Sequence, residues 1–516
     1  MLNARSIQGI VILIAGTFLA VWLGLSIATN QLETIIQVIA TLVLIGCLFL
    51  GRRIWLLIPF LGSLQLTLMI PGTPTTMLVG QVLVIGFTIL LILTRRIPLQ
   101  LRFSELEWWL LLFILCVVQV YVRNPVGVDL FGGATVGGRP YVLFALAAVT
   151  ALILCSLSVP ARELKLALKL SIFGGLLNFF VGLTGWLVPS VGLWLGVANP
   201  SGASSEVEGI MEDKGRLTQL RFMVFIPITL AKWVCSYINP IKACFSIRWA
   251  PLLLLSFVLA GASGYRNVIG AVGLTYLVGL YYRGRLISVL AAALLGVLLL
   301  VLLASFNLAA PLPPNIQRSL SFLPGTWEQR YVDNTKESTN WRVEMWKEAL
   351  FTDRWIHNKI FGDGLGISAR ELQHQANLTA AKQGGGTGMS GMDMTREYFM
   401  ATGDYHSGPV SAVRTIGYVG LLVMLLMQLR LLVHAHRQIM RCRGTEWFSV
   451  ALFFCIPIVW YPFFFVFIFG AFQLDSVAIL LGLGMLRLLE NNLPLPAYAP
   501  GRKSPYILTK QRHEAA

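Results

Sequence analysis

Apolar residues in this chain occur in runs that are long enough to cross a lipid bilayer, for which an α-helix needs about 20 residues. Short polar turns separate these runs, and an alternation of this kind predicts about fourteen membrane-spanning helices. The predicted spans are residues 9–28, 33–50, 54–70, 77–94, 104–121, 140–158, 164–187, 217–237, 249–264, 267–282, 286–305, 412–433, 447–468 and 471–489.

One long hydrophilic segment, residues 307–409, interrupts this pattern. A connection of this length is either functional or disordered. Within it, residues 339–351 carry Trp, Met and Leu at helical spacing, which predicts a helix with Thr339 or Asn340 as its N-cap.

The expected fold is therefore an all-α polytopic membrane protein with about 12–14 spanning helices and one large, partly helical external loop. We expect spanning helices 1–11 in residues 1–305, the loop in residues 306–410 and helices 12–14 in residues 411–489. Residues 490–516 are rich in proline and basic side chains, which indicates a disordered cytoplasmic tail.

Composition and charge give this fold an orientation. Charged residues make up 12% of the chain, about half of the usual fraction in soluble proteins. The net charge of +16 comes from lysines and arginines dispersed over alternate short loops. Such loops face the cytoplasm, so both termini are predicted inside and the long loop outside. The dispersal argues against nucleic-acid binding.

Arg266 is the first candidate for function, in the sequence Gly-Ala-Ser-Gly-Tyr-Arg-Asn at residues 261–267. The apolar runs on either side are both shorter than a full span, so the break between them is expected to lie below the outer surface. An arginine at the start of an inward-running helix suits an anion such as a diphosphate. A tight hairpin whose arginine reaches the lipid headgroups is the alternative.

Further arginines are predicted at the starts of inward-running helices. Arg216 and Arg221 begin the span at residues 217–237, and Arg221 lies within apolar sequence, where an ionised side chain is costly. Arg139 precedes Pro140, a residue favoured in the first turn of a helix. We expect Arg221 and Arg216 to bind anions and Arg139 to support the site.

His406 is the candidate base, just before the span that follows the long loop. Histidine can accept a proton from a sugar hydroxyl near neutral pH, and Asp404 could orient its ring. Arg342 lies on the predicted loop helix beside Trp341, whose aromatic face suits a sugar ring. An inert exposed histidine is the alternative. No spacing indicates a metal site, and no cofactor is expected.

Three stretches together resemble the O-antigen ligase and O-antigen polymerase superfamily of bacterial envelope enzymes. The first is LAGASGYR at residues 259–266, followed by an apolar helix. The second is NWRVEMWKEAL at residues 340–350, leading into IFGDGLG at residues 360–366. The third is His406-Ser-Gly-Pro, with GYVGL at residues 417–421. The chain has Tyr265 where the family usually has serine, and Ser407 where it often has asparagine.

The resemblance implies a metal-independent glycosyltransferase at the outer face of the bacterial inner membrane. Its donor would be an undecaprenyl-diphosphate-linked glycan and its acceptor a glycan or glycolipid. Arg266, Arg221 and Arg216 would bind the diphosphate, Arg342 would support the site, and His406 would be catalytic. Two alternatives stay open: a flippase or exporter of lipid-linked glycan, and a protein O-oligosaccharyltransferase with the same donor.

Overall fold

The computed structural model describes residues 46–68, 74–96, 103–126, 137–188, 220–284, 286–366 and 399–494. In these ranges the chain is almost wholly helical and forms no strand, and nine helices are long and apolar enough to cross a membrane. The protein is thus an all-α polytopic membrane protein, as predicted. The predicted span at residues 9–28 and most of the span at residues 33–50 lie outside the described residues.

Most of the α-helices overlap a predicted span. In chain order they are α1 (Leu57–Leu64), α2 (Thr76–Leu93), α3 (Glu105–Arg123), α4 (Arg139–Ser156), α5 (Ala161–Leu187), α6 (Phe225–Tyr237), α7 (Pro240–Cys244), α8 (Ala250–Ala262), α9 (Arg266–Arg283), α10 (Leu286–Ala309), α11 (Pro314–Leu320), α12 (Gln329–Phe351), α13 (Gly408–Cys442), α14 (Phe448–Phe467) and α15 (Phe472–Asn492).

The chain forms two compact units, residues 1–55 with 86–98, and residues 56–85 with 99–516. In the first unit, the sequence predicted a break between the spans at residues 33–50 and 54–70. The structure corrects this, because Arg52 and Arg53 lie in a 3-10 helix, Gly51–Leu56. The Arg52 guanidinium donates a hydrogen bond to the carbonyl of Arg96 at 2.8 Å.

The second unit contains the candidate site, and small residues allow its helices to pack closely. Helix α13 contacts α3, α14 and α15, and α15 in turn packs along α4. At Gly484 on α15, a Cβ atom would lie 2.9 Å from the Cα of Ala151 on α4. Packing through small residues is typical of membrane helices, because it brings backbones into close van der Waals contact.

Buried ionic contacts fasten α3, α13 and α15 together at one end of this unit. Arg487 donates to Glu107 at 2.6 Å and also pairs with Glu490. His434 lies 2.9 Å from Glu490 through its Nδ1 atom. Glu107 also accepts from the backbone N–H of Ser104, which completes a capping box at the start of α3.

The long loop is more helical than the sequence indicated. The predicted cap at Thr339 or Asn340 is wrong, since α12 begins ten residues earlier, at Gln329. Polar residues on the outer face of this first part hide its periodicity, whereas Tyr331 and Thr335 on the inner face are buried. The prediction also missed α11 and placed the end of α10 at residue 305 instead of Ala309.

Candidate functional site

The candidate site begins with the turn between α8 and α9. Gly264 has a φ of 75°, and Tyr265 is the N-cap of α9, so Arg266 is the first residue of that helix. Helix α8 has 13 residues and is about 20 Å long, shorter than the apolar core of a bilayer. Helix α9, at 18 residues, is longer than predicted. The short α8 supports a turn that lies below the membrane surface.

The loop helices cover this turn, which is therefore not a bare hairpin. Asn315 and Ser319 of α11 donate to the carbonyls of Ala262 and Gly261, at 3.1 Å and 3.3 Å. The Arg266 guanidinium donates to the hydroxyl of Thr335 on α12 at 2.8 Å. This hydroxyl also lies 2.7 Å from that of Ser321. Arg266 is thus held by neutral groups, and its charge has no carboxylate bonded to it among the described residues.

Two further arginines lie within electrostatic range of Arg266. They are Arg342 on α12 and Arg318 on α11, and both act on the charge of Arg266. The Nε atom of Arg342 is buried and has no hydrogen-bond partner in the described part of the chain. Burial lowers the pKa of the Arg342 guanidinium, and the charge of Asp404 opposes this. Three positive side chains within electrostatic range of one another form a site suited to an anion.

His406 lies within electrostatic range of Arg342 and has an unusual backbone conformation. Its φ is 50°, a left-handed value that costs a residue other than glycine about 1–2 kcal/mol. The neighbouring Tyr405 is fully buried, and its carbonyl accepts a hydrogen bond from the Trp346 indole of α12 at 2.8 Å. The Ser411 hydroxyl donates to the carbonyl of Gly403 at 3.1 Å. These contacts fix the strained segment in place.

Aromatic rings surround the His406 imidazole. The ring centres of Phe399, Phe469 and Trp341 lie 4.8 Å, 5.5 Å and 6.2 Å from it. The Nδ1 atom lies 3.4 Å from Oδ1 of Asp404, and neither atom has a hydrogen-bond partner in the regions described. A small rotation of either side chain would join them.

The surroundings of His406 favour its neutral form. Burial lowers the pKa of the imidazole below its ordinary value of 6.5. Asp404 raises this pKa and Arg342 lowers it further, and the net change is downward. At neutral pH the ring is thus uncharged and can accept a proton, which is the state that a general base requires.

A second acid lies close to this segment. Asp475, at the start of α15, accepts hydrogen bonds from the backbone N–H of Ala471 at 2.8 Å and from the Tyr461 hydroxyl. At Gly470 a Cβ atom would meet both Asp475 Oδ2, at 2.8 Å, and the backbone of Gly408. Asp475 is therefore a neighbour of the His406 segment, and the sequence did not single it out.

The segment at residues 358–366 of the long loop is hydrogen-bonded to α13. Helix α13 is broken at Gly417, whose φ of 71° and ψ of −179° are not helical. The backbone N–H groups of Tyr418 and Val419 donate to the carbonyls of Lys359 and Ile360, at 2.8 Å and 3.1 Å. In the other direction, the N–H of Asp363 donates to the carbonyl of Arg414 at 2.8 Å.

Side chains from α3 and α4 hold the same segment from another side. Arg123 donates to the carbonyls of Phe361 and Gly362 at 2.9 Å and 3.0 Å. The Tyr141 hydroxyl accepts from the N–H of Leu365 at 2.9 Å. The sequence did not predict the contacts of this segment with α3, α4 and α13.

The remaining predicted site residues are placed as follows. The structure describes the backbone of Arg221 but not its side chain; Arg221 begins a 3-10 helix, Arg221–Met223, rather than an α-helix. The preceding N–H, of Leu220, donates to the carbonyl of Ser263 at 2.9 Å, so Arg221 follows directly on a contact with the turn before Arg266. Arg139 is buried at the start of α4, with Pro140 next to it as predicted. Arg216 lies outside the described residues.

Fold and site together define a multi-pass α-helical membrane protein in which helices of the long loop lie over a group of arginines and a histidine. No family model matches the chain, and no curated protein matches it.

Proposed function

We propose that the protein is a glycosyltransferase of the O-antigen ligase or polymerase type. It transfers a glycan from undecaprenyl diphosphate to an acceptor sugar hydroxyl at the outer face of the bacterial inner membrane. The observation that carries the proposal is that His406, whose surroundings favour its neutral form, lies within electrostatic range of Arg342, which in turn lies within electrostatic range of Arg266. A base next to an anion site is what this transfer needs.

The reaction requires one proton transfer and one displacement. His406 accepts the proton of the acceptor hydroxyl while the hydroxyl oxygen attacks the anomeric carbon of the donor. The bond between that carbon and the diphosphate oxygen breaks, and its electron pair stays on the diphosphate. Arg266, Arg318 and Arg342 stabilise this charge, an electrostatic contribution of about 3–4 kcal/mol for each well-placed donor.

Aromatic and acidic neighbours complete the proposed mechanism. Trp341, on the same turn of α12 as Arg342, offers a face for a sugar ring near His406. Asp404 can rotate to accept from His406 Nδ1, which stabilises the imidazolium formed in the reaction. Helices α11 and α12 cover the site, hold donor and acceptor in line and limit the access of water.

The resemblance and the charge pattern add support. The stretches at residues 340–350, 360–366 and 417–421, which carry the resemblance, contact one another or the His406 segment in the folded chain. Basic residues including Lys165, Arg283 and Arg441 collect at the helix ends away from the candidate site. By the charge rule these ends are cytoplasmic, and the site then faces outward.

The test is glycan transfer by the purified protein in detergent, with an undecaprenyl-diphosphate-linked oligosaccharide and an acceptor glycan. Product should form without any membrane compartment. Arg266→Ala and His406→Ala should each abolish transfer while the protein still elutes as the folded species. The matched control is Arg162→Ala, at an exposed position on α5, which should transfer normally. Unimpaired transfer by both site variants would refute the mechanism.

A lipid-linked glycan exporter is the second candidate, and one observation favours it. Lys232 lines a cavity between α6, α13, α14 and α15, so a basic residue does lie within the membrane-spanning part. An exporter would move labelled donor across vesicle membranes and would yield no product in detergent. A protein O-oligosaccharyltransferase would use the same donor and is distinguished by product formed on a protein acceptor.

A further inference from the structure

The cavity beside Lys232 has a volume of about 270 Å³. Lys232 lies seven residues after the start of α6 at Phe225, which is about 10 Å along the helix axis. Most of its lining is apolar, and its polar lining groups are Lys232, Gln428, Trp460 and Tyr461. None of the residues that line the cavity belongs to the candidate site around His406.

Several polar groups at this cavity lack partners. Gln428 is only 2% exposed, yet neither its amide nitrogen nor its amide oxygen has a hydrogen-bond partner in the described residues. The Trp460 indole N–H is also buried and unpaired there. Tyr461 instead donates to Asp475. Buried polar groups are nearly always hydrogen-bonded, so two unpaired side chains lining one cavity require hydrogen-bond partners inside it.

The charge at the cavity is positive and uncompensated. The Lys232 ammonium lies 4.6 Å from the centre of the Phe453 ring, and no carboxylate pairs with it among the residues described. A cation–π contact is weak compared with the cost of removing an unpaired ammonium from water. Water in the cavity would supply hydrogen bonds but no opposite charge.

The donors also outnumber the acceptors. Lys232 offers three N–H groups, the Gln428 amide two and Trp460 one, while the only unpaired acceptor among these side chains is the Gln428 oxygen. The surrounding walls, which include Phe454 and Ile479, are apolar. The complement of this lining is a negatively charged, acceptor-rich group attached to an apolar body.

We propose that this cavity binds the single anionic group, a carboxylate or a phosphate, of an amphiphile. Lys232 pairs with the charge, and Gln428 and Trp460 donate hydrogen bonds to its oxygens. The volume accommodates the head and the first few carbons, so the rest of the chain extends between the helices into the bilayer. This site does not depend on the proposed glycosyl transfer.

The test measures binding of radiolabelled oleate to the full-length protein in nanodiscs of phosphatidylcholine, with unlabelled competitors. Oleate should bind saturably, and oleyl phosphate should displace it. Oleyl alcohol, which has the same chain without the charge, should not. If inorganic phosphate alone displaces oleate as well as oleyl phosphate does, the site takes a free anion and the amphiphile proposal is overturned.

Variants connect the binding to the cavity. Lys232→Met should weaken oleate binding at least about tenfold, whereas Lys232→Arg should retain most of it, because the charge is kept. Lys169→Met is the matched control, since Lys169 is exposed on α5 and away from the cavity, and should bind normally. Gln428→Leu should bind more weakly and serves if Lys232→Met does not fold. Absence of saturable binding, or wild-type affinity in both Lys232→Met and Gln428→Leu, would overturn the proposal.

Discussion

The close contact between α13 and residues 358–366 predicts that replacing Gly417 destabilises the protein. In Gly417→Ala the new Cβ atom would collide with the Ile360 carbonyl and approach the backbone nitrogen of Phe361 to 2.5 Å. The φ of 71° and ψ of −179° at this position are, in addition, a combination that essentially only glycine adopts.

The expected loss in the free energy of unfolding is the sum of these two effects. Forcing alanine into this backbone region costs about 1–3 kcal/mol. Relieving the collision by moving the segment away breaks the hydrogen bonds from Tyr418 and Val419 to the carbonyls of Lys359 and Ile360, at about 1 kcal/mol each. We therefore expect Gly417→Ala to destabilise the protein by about 3–5 kcal/mol.

Two assays on the purified protein in detergent measure this destabilisation. The thermal unfolding midpoint should fall by several degrees, and trypsin should cut after Lys359, whose carbonyl is released from α13. The control is Gly273→Ala on α9, where a Cβ atom meets nothing within 4 Å. In a helix this change should be neutral or stabilising by about 0.5–1 kcal/mol. An unfolding midpoint and a digestion pattern shared by Gly417→Ala and the wild type would refute the argument.

Two further predictions concern charge. Because His406 acts as a base only when neutral, and burial lowers its pKa, transfer should persist below pH 6.5 and be lost as pH falls further. Asp404→Asn removes a charge that raises this pKa, so the acid limb of its pH–rate profile should move to lower pH; a limb at or above pH 6.5 in the wild type contradicts the assignment. Arg487→Met leaves Glu107 buried without its partner and should lower the free energy of unfolding by about 3–5 kcal/mol. Lys165→Met, which breaks an exposed pair, should cost less than about 1 kcal/mol, and equal losses in the two variants would argue against a buried pair.

Much of the fold was predictable because its main signal is local. The length of an apolar run sets the number of residues that can cross a bilayer, so spans such as α2, α9 and α14 lie within a few residues of their predicted bounds. The failures occurred where contacts outweigh local polarity. The first part of α12 is polar by composition and is helical because Tyr331 and Thr335 pack beneath it.

The candidate site was predictable in part for the same reason. Arginines and a histidine at the starts of apolar helices stand out in the sequence, and the structure places Arg266, Arg342 and His406 in one electrostatic neighbourhood. Arg318 was missed because its short helix resembles ordinary polar loop. Asp475 was missed because it is brought next to the His406 segment by close packing at Gly470, which no spacing in the sequence reveals.

The proposal that Arg266 binds the diphosphate of the donor is tested most directly by measuring diphosphate binding apart from catalysis. Binding of undecaprenyl diphosphate and of undecaprenyl monophosphate to the purified protein would be compared for the wild type, Arg266→Ala and His406→Ala. We expect the wild type to prefer the diphosphate, Arg266→Ala to bind the diphosphate at least about tenfold more weakly, and His406→Ala to bind it normally. Equal binding of the diphosphate by Arg266→Ala and the wild type would show that Arg266 does not bind it.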